Sequence, residues 1–467
     1  MNELPADQSF ELPDWMHPHH GAIDWGLVLV LALSLLAALP FLANPGLPRQ
    51  TDAELHVFRT AELTNAIREG VIYPRWAPNF WYGYGYPFFN YYASLTYYLG
   101  AGYGLLTGTG PVGGARFVFI VGFMLAGLGT YAFVRRRWNA PAGVLAAVVY
   151  VYSPYIILVD PHMRGDLAET FALAVFPGVM WAFDRLLDEG RGWHAVRAAA
   201  LLAALIFTHN LMALLLTALL VGWLLWVTAF TEAAHKRLAW LGAALGVGLA
   251  GFFWAPVLLE ASAVQLDRLV GPGHFDYRNH FLSVGALLQP SPALDLGAVN
   301  PAYALNLGVA AWALALLGGA ALVAQARGPK TPPKPRAATL EGWRRMFSAG
   351  ALDEAPPAPG GALDLAYFAL AALVFVLLML PASDIIWRAI PAMPVIQFPW
   401  RLLGPAAFCL AVLAGAATRW IRPLPATARA GAGGAGRRAA GAGAAHALPA
   451  AVGPRLRRDN PAGLHRI

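Results

Sequence analysis

Directly after a first apolar run comes Thr51-Asp52-Ala53-Glu54-Leu55-His56-Val57-Phe58-Arg59, where a carboxylate, an imidazole and a guanidinium fall at helical spacing. Thr51 is a residue type that caps helices. Asp52, His56 and Arg59 then stand at i, i+4 and i+7 and share one face, while Glu54 points roughly the other way. Such a stripe can deprotonate a hydroxyl, orient the base and bind a phosphate, with Asp52, Glu54 and His56 as the candidate catalytic groups and Arg59 as an anion ligand. The competing reading is an exposed amphipathic helix with incidental charge pairs. A second dense group is Asp160-Pro161-His162-Met163-Arg164-Gly165-Asp166-Leu167-Ala168-Glu169. Asp166 and Glu169 are i, i+3 and share a face. Together with Asp52 they could hold a divalent cation, Mg2+ or Mn2+, through oxygen ligands, or they could neutralise Arg164.

Three further stretches supply candidate ligand contacts. Thr208-His209-Asn210 sits between two apolar helices, where His209 and Asn210 either touch a ligand or cap a helix. Phe275–Phe281 contains His280, and Gln397-Phe398-Pro399-Trp400-Arg401 opens an apolar run, with Gln397 and Arg401 placed for a lipid phosphate or for ordinary interfacial anchoring. The run Tyr73–Pro87 is rich in Tyr and Trp and carries Arg75. Its rings can stack on sugars or headgroups, and plain interface packing is the preferred reading. Walker A, dinucleotide-binding and HExxH patterns are absent from the sequence, which argues against a nucleotide as direct donor.

The elements that must position these residues are membrane helices. Hydrophobic residues make up 58% of the chain, charged residues 13%, and mean hydropathy is +0.52. A soluble domain carries roughly twice that share of charge. Ten apolar runs approach the roughly 20 residues that span a bilayer. They are Trp25–Ala43, Arg116–Val134, Ala140–Leu158, Thr170–Leu187, Arg197–Thr208, Leu211–Phe230, Ala239–Leu259, Ala302–Ala324, Leu363–Pro381 and Leu402–Ile421. The first follows an acidic, His-rich leader over residues 1–24 and reads as an uncleaved span. Tyr91–Leu106 is short and Tyr-rich, and treating it as an interfacial helix leaves Arg135, Arg136 and Arg137 inside. Every lysine then falls inside, and the external set is arginine alone, including Arg59, Arg75, Arg164 and Arg401. Guanidinium pairs bidentately with phosphate. The net charge of +7 is spread over short loops, which fits membrane orientation and excludes a nucleic-acid partner. Cys409 is the lone cysteine, so no intramolecular disulfide forms.

The expected architecture is an all-α, polytopic bundle over residues 25–422. Its external loops are 44–115 (with an interfacial helix), 159–169, 260–301 and 382–401. The internal stretch 325–362 is expected to be flexible, and the Ala/Gly/Arg-rich tail 423–467 to be disordered.

The order of an acidic first external loop, an interfacial helix and a second acidic loop resembles the GT-C membrane glycosyltransferases. More narrowly, Asp52-x-x-x-His56, Tyr73-Pro74-Arg75-Trp76, Gly83-Tyr84-Gly85-Tyr86-Pro87, Arg164–Glu169, Thr208-His209-Asn210 and Gln397–Arg401 look like the bacterial 6-pyruvoyl-tetrahydropterin synthase-related membrane family, a label not read as an activity. The likeness covers roughly Trp25 to Ile421. It implies an inner-membrane enzyme that moves a sugar from a polyprenyl-phosphate donor to a glycan, lipid or protein acceptor hydroxyl on the external face. It also implies Asp52 as base, with Asp166 and Glu169 as the second acidic loop. The alternative functions are a lipid-glycan translocase or an envelope-assembly scaffold.

Overall fold

A computed structural model of the chain describes residues 23–47, 51–265, 273–292, 303–327 and 361–420. The description concerns the unit Met1–Arg422. The expectations for the tail, and nearly all of those for the leader and the stretch 325–362, lie outside the described residues. Helices dominate, and among the described residues the β-structure is a single isolated bridge between Ala77 and Tyr86.

The helices, in order, are α1 (Trp25–Ala37), α2 (Leu39–Ala43), α3 (Ala53–Arg68), α4 (Phe88–Tyr91), α5 (Leu95–Thr107), α6 (Gly110–Arg137) and α7 (Ala140–Val151). A π-helical segment, Tyr155–Arg164, follows. Then come α8 (Leu167–Glu189), α9 (Gly192–Ile206), α10 (Asn210–Phe230), α11 (Lys236–Leu249), α12 (Gly251–Leu259), α13 (Val284–Leu288), α14 (Val309–Arg327), α15 (Gly361–Leu378), α16 (Asp384–Ala389) and α17 (Leu403–Ala416).

Each expected span overlaps an apolar helical element, although the helix of the eighth, α14, begins at Val309 and not at Ala302. Five are individually long and apolar enough to cross a membrane: Gly110–Arg137, Ala140–Arg164, Leu167–Glu189, Asn210–Phe230 and Pro399–Ala416. Two more are bent pairs, α11 with α12 at 64° and α15 with α16 at 90°. Trp25–Ala37, Gly192–Ile206 and Val309–Ala321 are shorter apolar helices. α5, at 13 residues, is about 20 Å long and falls short of a hydrocarbon core of about 30 Å. Instead it folds back on α6, where Gly100 and Gly114 let the backbones touch. A Cβ on Gly114 would collide with the Gly100 carbonyl.

Local chemistry sets the helix ends. Asn139 accepts the Ala142 N–H at 2.9 Å to start α7, and Pro141 occupies its first turn. Arg135–Arg137 close α6, where cations favour the helix C-terminus. α17 is buried along its whole length and packs on α7, α14 and α15, so it forms the axis of the bundle.

One expectation is corrected. The stretch Val159–Glu169 is not a short turn. Val159–Arg164 continues the α7 span as a π-helical segment around Pro161, and only Gly165, at φ +71°, and Asp166 break it before α8. Asp160 and Arg164 are therefore buried helical residues and not members of an external loop.

Candidate functional site

The first loop and the second acidic segment are stitched together through their backbones. The Asp52 N–H donates to the Arg164 carbonyl at 2.7 Å, the Thr51 N–H to the Met163 carbonyl at 3.3 Å, and the Thr51 hydroxyl to the Arg164 carbonyl at 3.2 Å. α3 starts at this seam, and its inner face carries His56 and Arg59 toward α5. Glu54 lies on the exposed face of α3 and does not line the cavity described below, as its offset from the Asp52 stripe requires.

Arg164 is the centre of charge. It pairs with Asp160, with Asp166 at 2.9 Å and with Glu169 at 3.1 Å, and it lies 3.9 Å from Asp52. Thr170 donates to the other Asp160 oxygen at 2.9 Å. Asp166 also caps α8, accepting the Glu169 N–H at 2.9 Å. Glu169 accepts Tyr155 Oη–H at 2.5 Å on one oxygen and Arg401 Nε–H at 3.1 Å on the other. Arg401 Nη1 also donates to the Ile396 carbonyl at 3.0 Å and to Gln397 Oε1 at 3.1 Å. Buried carboxylates and guanidiniums of this kind are tolerable only when mutually paired.

A second chain of contacts runs from Asp166 to Arg59. His56 Nε2 lies 3.4 Å from Asp166 Oδ1, and its Nδ1 lies 2.9 Å from Tyr97 Oη, which accepts Arg59 Nη1–H at 3.3 Å. With Tyr97 accepting from Arg59, its own proton goes to His56 Nδ1, and the Nε2–H faces Asp166. Burial pushes the His56 pKa down, with Asp166 opposing, and keeps the ring neutral. Burial of Asp166 is outweighed by Arg164 and His56, which hold its carboxyl well below the usual range. Asp52 goes the other way: burial, then repulsion from Asp166, raise its pKa. Its side chain is 38% exposed, unlike the other acids of the cluster. It is thus the carboxylate that an incoming group can reach.

Arg59 differs from Arg164 and Arg401. Its guanidinium lies over Phe88 at 4.4 Å and Tyr92 at 4.9 Å, and among the described residues it forms no ion pair. Its guanidinium has no carboxylate in direct contact within the site, and Asp166 acts on it only at longer range.

These groups line a cavity of about 1680 Å³. Asp52, His56, Arg59, Arg164, Asp166 and Arg401 are part of its polar lining. Ile206, Leu214, Val247, Phe253, Trp254 and Val257, from α9 to α12, form an apolar wall. Compact ligand pockets measure about 300–1,000 Å³, so this volume suits a large amphiphile.

The remaining candidates are placed as follows. His209 and Asn210 line the cavity but are also structural: His209 Nδ1 accepts the Met212 N–H at 3.1 Å, and Asn210 ties the Ala93 N–H and the Tyr91 carbonyl at 2.9 and 2.8 Å. His280 and Gln397 line the wall, with His280 Nε2 2.6 Å from the His274 carbonyl. Arg75 is exposed, lies outside the cavity wall and sits 3.7 Å from Glu260. The sequence reading missed Asp160, Tyr155 and Tyr97. The i, i+4 spacing of Asp160 and Arg164 was a usable signal, whereas Tyr97 carried none because only the α3–α5 packing brings it to His56.

Ligand atoms that could share a metal belong to Asp166, Glu169 and His209, and not to the expected set of Asp52, Asp166 and Glu169. Each carboxylate oxygen in that group already accepts from an arginine, a tyrosine or a backbone N–H. A divalent ion would have to lie against two guanidiniums, so the donor set does not fit Mg2+ or Mn2+.

A family model described as 6-pyruvoyl-tetrahydropterin synthase related domain, membrane protein, matches residues 89–322. No curated protein sequence matches the chain. Among solved structures, the chain is similar to the oligosaccharyltransferase AglB from Archaeoglobus fulgidus, in complex with an inhibitory peptide and a dolichol-phosphate. Identity is 14% and TM-score 0.44, over 91% of this chain and 53% of that one. It is also similar to ArnT from Cupriavidus metallidurans bound to undecaprenyl phosphate, at 13% identity and TM-score 0.41, over 85% of this chain and 78% of that one. The chain thus spans about half the length of the archaeal protein.

Proposed function

Because this chain belongs to the 6-pyruvoyl-tetrahydropterin synthase-related family of membrane proteins, we propose that its site acts on an amphiphile within the bilayer, as a glycosyltransferase using a polyprenyl-phosphate sugar. One observation carries the reading: an accessible carboxylate, Asp52, and a guanidinium with no ion pair among the described residues, Arg59, line the same large cavity as an apolar wall from α9 to α12. The apolar wall takes the prenyl chain. Arg59 takes the phosphate, by charge and by bidentate hydrogen bonding. Arg164 and Arg401, already paired with carboxylates, shape the site and do not serve as the main phosphate ligands.

In this mechanism Asp52 removes the proton of the acceptor hydroxyl. The freed oxygen attacks the anomeric carbon while the bond from that carbon to the phosphate oxygen breaks. The departing phosphate takes the electron pair and is stabilised by Arg59. A phosphate leaves without a strong general acid, so one base suffices, and a single displacement inverts the anomeric centre. No step passes through a metal. We assign the reaction to the outer face of the plasma membrane, a reading supported by Arg135–Arg137 at the opposite end of α6, where the positive-inside rule puts the cytoplasm.

The rival translocase reading asks for a polar path across the bilayer. Glu169 and Asp184 belong to ionic clusters at opposite ends of α8, about 22 Å apart by helical rise. Thr170–Phe183 between them holds no charged residue, which favours a surface site over a conduit.

The test is Asp52→Asn in membranes supplied with a radiolabelled polyprenyl-phosphate sugar. Loss of sugar transfer with retained binding of the lipid phosphate supports the mechanism. Unchanged transfer removes Asp52 and the mechanism with it.

A further inference from the structure

The loop between α3 and α4 carries aromatic rings out of the protein on a strained backbone. Trp81 and Tyr82 are consecutive and both left-handed, at φ +52° and +59°, a conformation unfavourable for bulky residues. Packing does not demand it, because the Tyr82 side chain is 97% exposed, Tyr84 87% and Trp81 65%. The loop is braced from below. Both Glu62 oxygens accept from Asn79, through its N–H at 3.0 Å and Nδ2 at 2.9 Å. Ala77 and Tyr86 exchange backbone hydrogen bonds at 2.8 and 3.0 Å. Gly85, at φ +82°, leaves room for the Trp76 indole. Tyr86 lines the catalytic cavity and its ring lies 6.3 Å from Trp81, so the exposed rings continue outward from the cavity mouth.

Two kinds of partner accept exposed aromatic rings: a bilayer interface or a saccharide. A bilayer is fluid and sets no direction, so a strained backbone that fixes where the side chains leave the chain has no use there. A saccharide has flat C–H faces at fixed angles and rewards it. The composition agrees. From Tyr73 to Pro87 there is no Leu, Ile, Val or Met, and the only charged residue is Arg75 beside Glu260, while the exposed Val71 and Ile72 lie just ahead of this stretch. The end of α12, by contrast, exposes Leu258 and Leu259, as a lipid-facing helix would.

We propose that Trp76–Tyr86 is a saccharide-binding platform that stacks uncharged sugar rings and feeds them toward Asp52. Naming that saccharide the acceptor rests on the transfer reading. The binding itself does not.

The experiment uses the full chain in lipid nanodiscs on a printed array of neutral, acidic and amino-sugar glycans. Neutral glycans should be retained, and Tyr82→Ala and Tyr84→Ala should each weaken retention roughly three- to tenfold, while Tyr84→Phe preserves it. Both tyrosines are exposed, so these variants fold. In parallel, a nitroxide on Tyr82→Cys (Cys409 is buried and escapes labelling) should relax with a water-soluble agent and not with lipid-dissolved oxygen. An array that retains no glycan, retention indifferent to the alanine variants, or a label sitting in lipid would each overturn the platform. Failure of the transfer reading shows separately, as unchanged transfer in Asp52→Asn with glycan retention intact.

Discussion

Arg59→Met separates a ligand-binding cation from a structural one. In the folded protein Arg59 gives one hydrogen bond to Tyr97, at 3.3 Å, and two cation–π contacts, and pairs with no carboxylate among the described residues. Removing its charge therefore orphans nothing buried. The stability loss is the cation–π contribution of about 0.5–1 kcal/mol, part of which the methionine chain recovers by packing. A charge-assisted hydrogen bond to a phosphate contributes about 1.5–3 kcal/mol, so the lipid phosphate should bind roughly ten- to a hundredfold more weakly. Arg401→Met is the control. It strips Glu169 of a buried partner, though Arg164 and Tyr155 remain, so the cost falls at the low end of breaking a buried ion pair, about 3 kcal/mol. The assay pairs fluorescence titration of a polyprenyl phosphate into nanodiscs with thermal unfolding of the same samples. The reasoning fails if Arg59→Met binds the lipid like the parent, or unfolds as early as Arg401→Met.

Further outcomes follow from the same geometry. Transfer should fall on acidification with an apparent pKa above the ordinary aspartate value of 3.8, since Asp52 must be ionised to act and its pKa is raised; Asp52→Asn should lower turnover about 10²–10⁴-fold across the whole profile. Chelation by EDTA should leave transfer unchanged, and a loss restored by Mn2+ would restore the metal reading. Burial brings the His209 pKa down to about 4 from 6.5, so the folded state favours the neutral ring. Stability should therefore be full above about pH 6.5 and fall as pH drops toward 4, by about 3 kcal/mol; His209→Asn keeps a helix cap and should flatten that dependence in unfolding measurements. Gly114→Ala should force α5 from α6, lower the unfolding temperature and loosen Tyr97 from His56, at about 1–3 kcal/mol.

Much was fixed by the chain alone. The membrane class followed from apolar runs, since a spanning helix needs only length and hydrophobicity, both local properties. The Asp52–His56–Arg59 stripe followed from helical periodicity, and so did the turning away of Glu54. What periodicity cannot give is who neutralises whom. Asp160 looked like a loop residue because Pro161 and Gly165 suggest a break, yet the π-helical turn tolerates Pro161 and buries Asp160 against Arg164. Arg164 and Arg401 looked as suited to phosphate as Arg59. Only packing showed that Glu169 on α8 claims both of them and leaves Arg59 on its aromatic bed. Tyr97 reached His56 only through the packing of α5 on α3. Charge type and spacing are written along the chain, but compensation of charge is a property of distances between elements, and those distances exist only in the folded bundle.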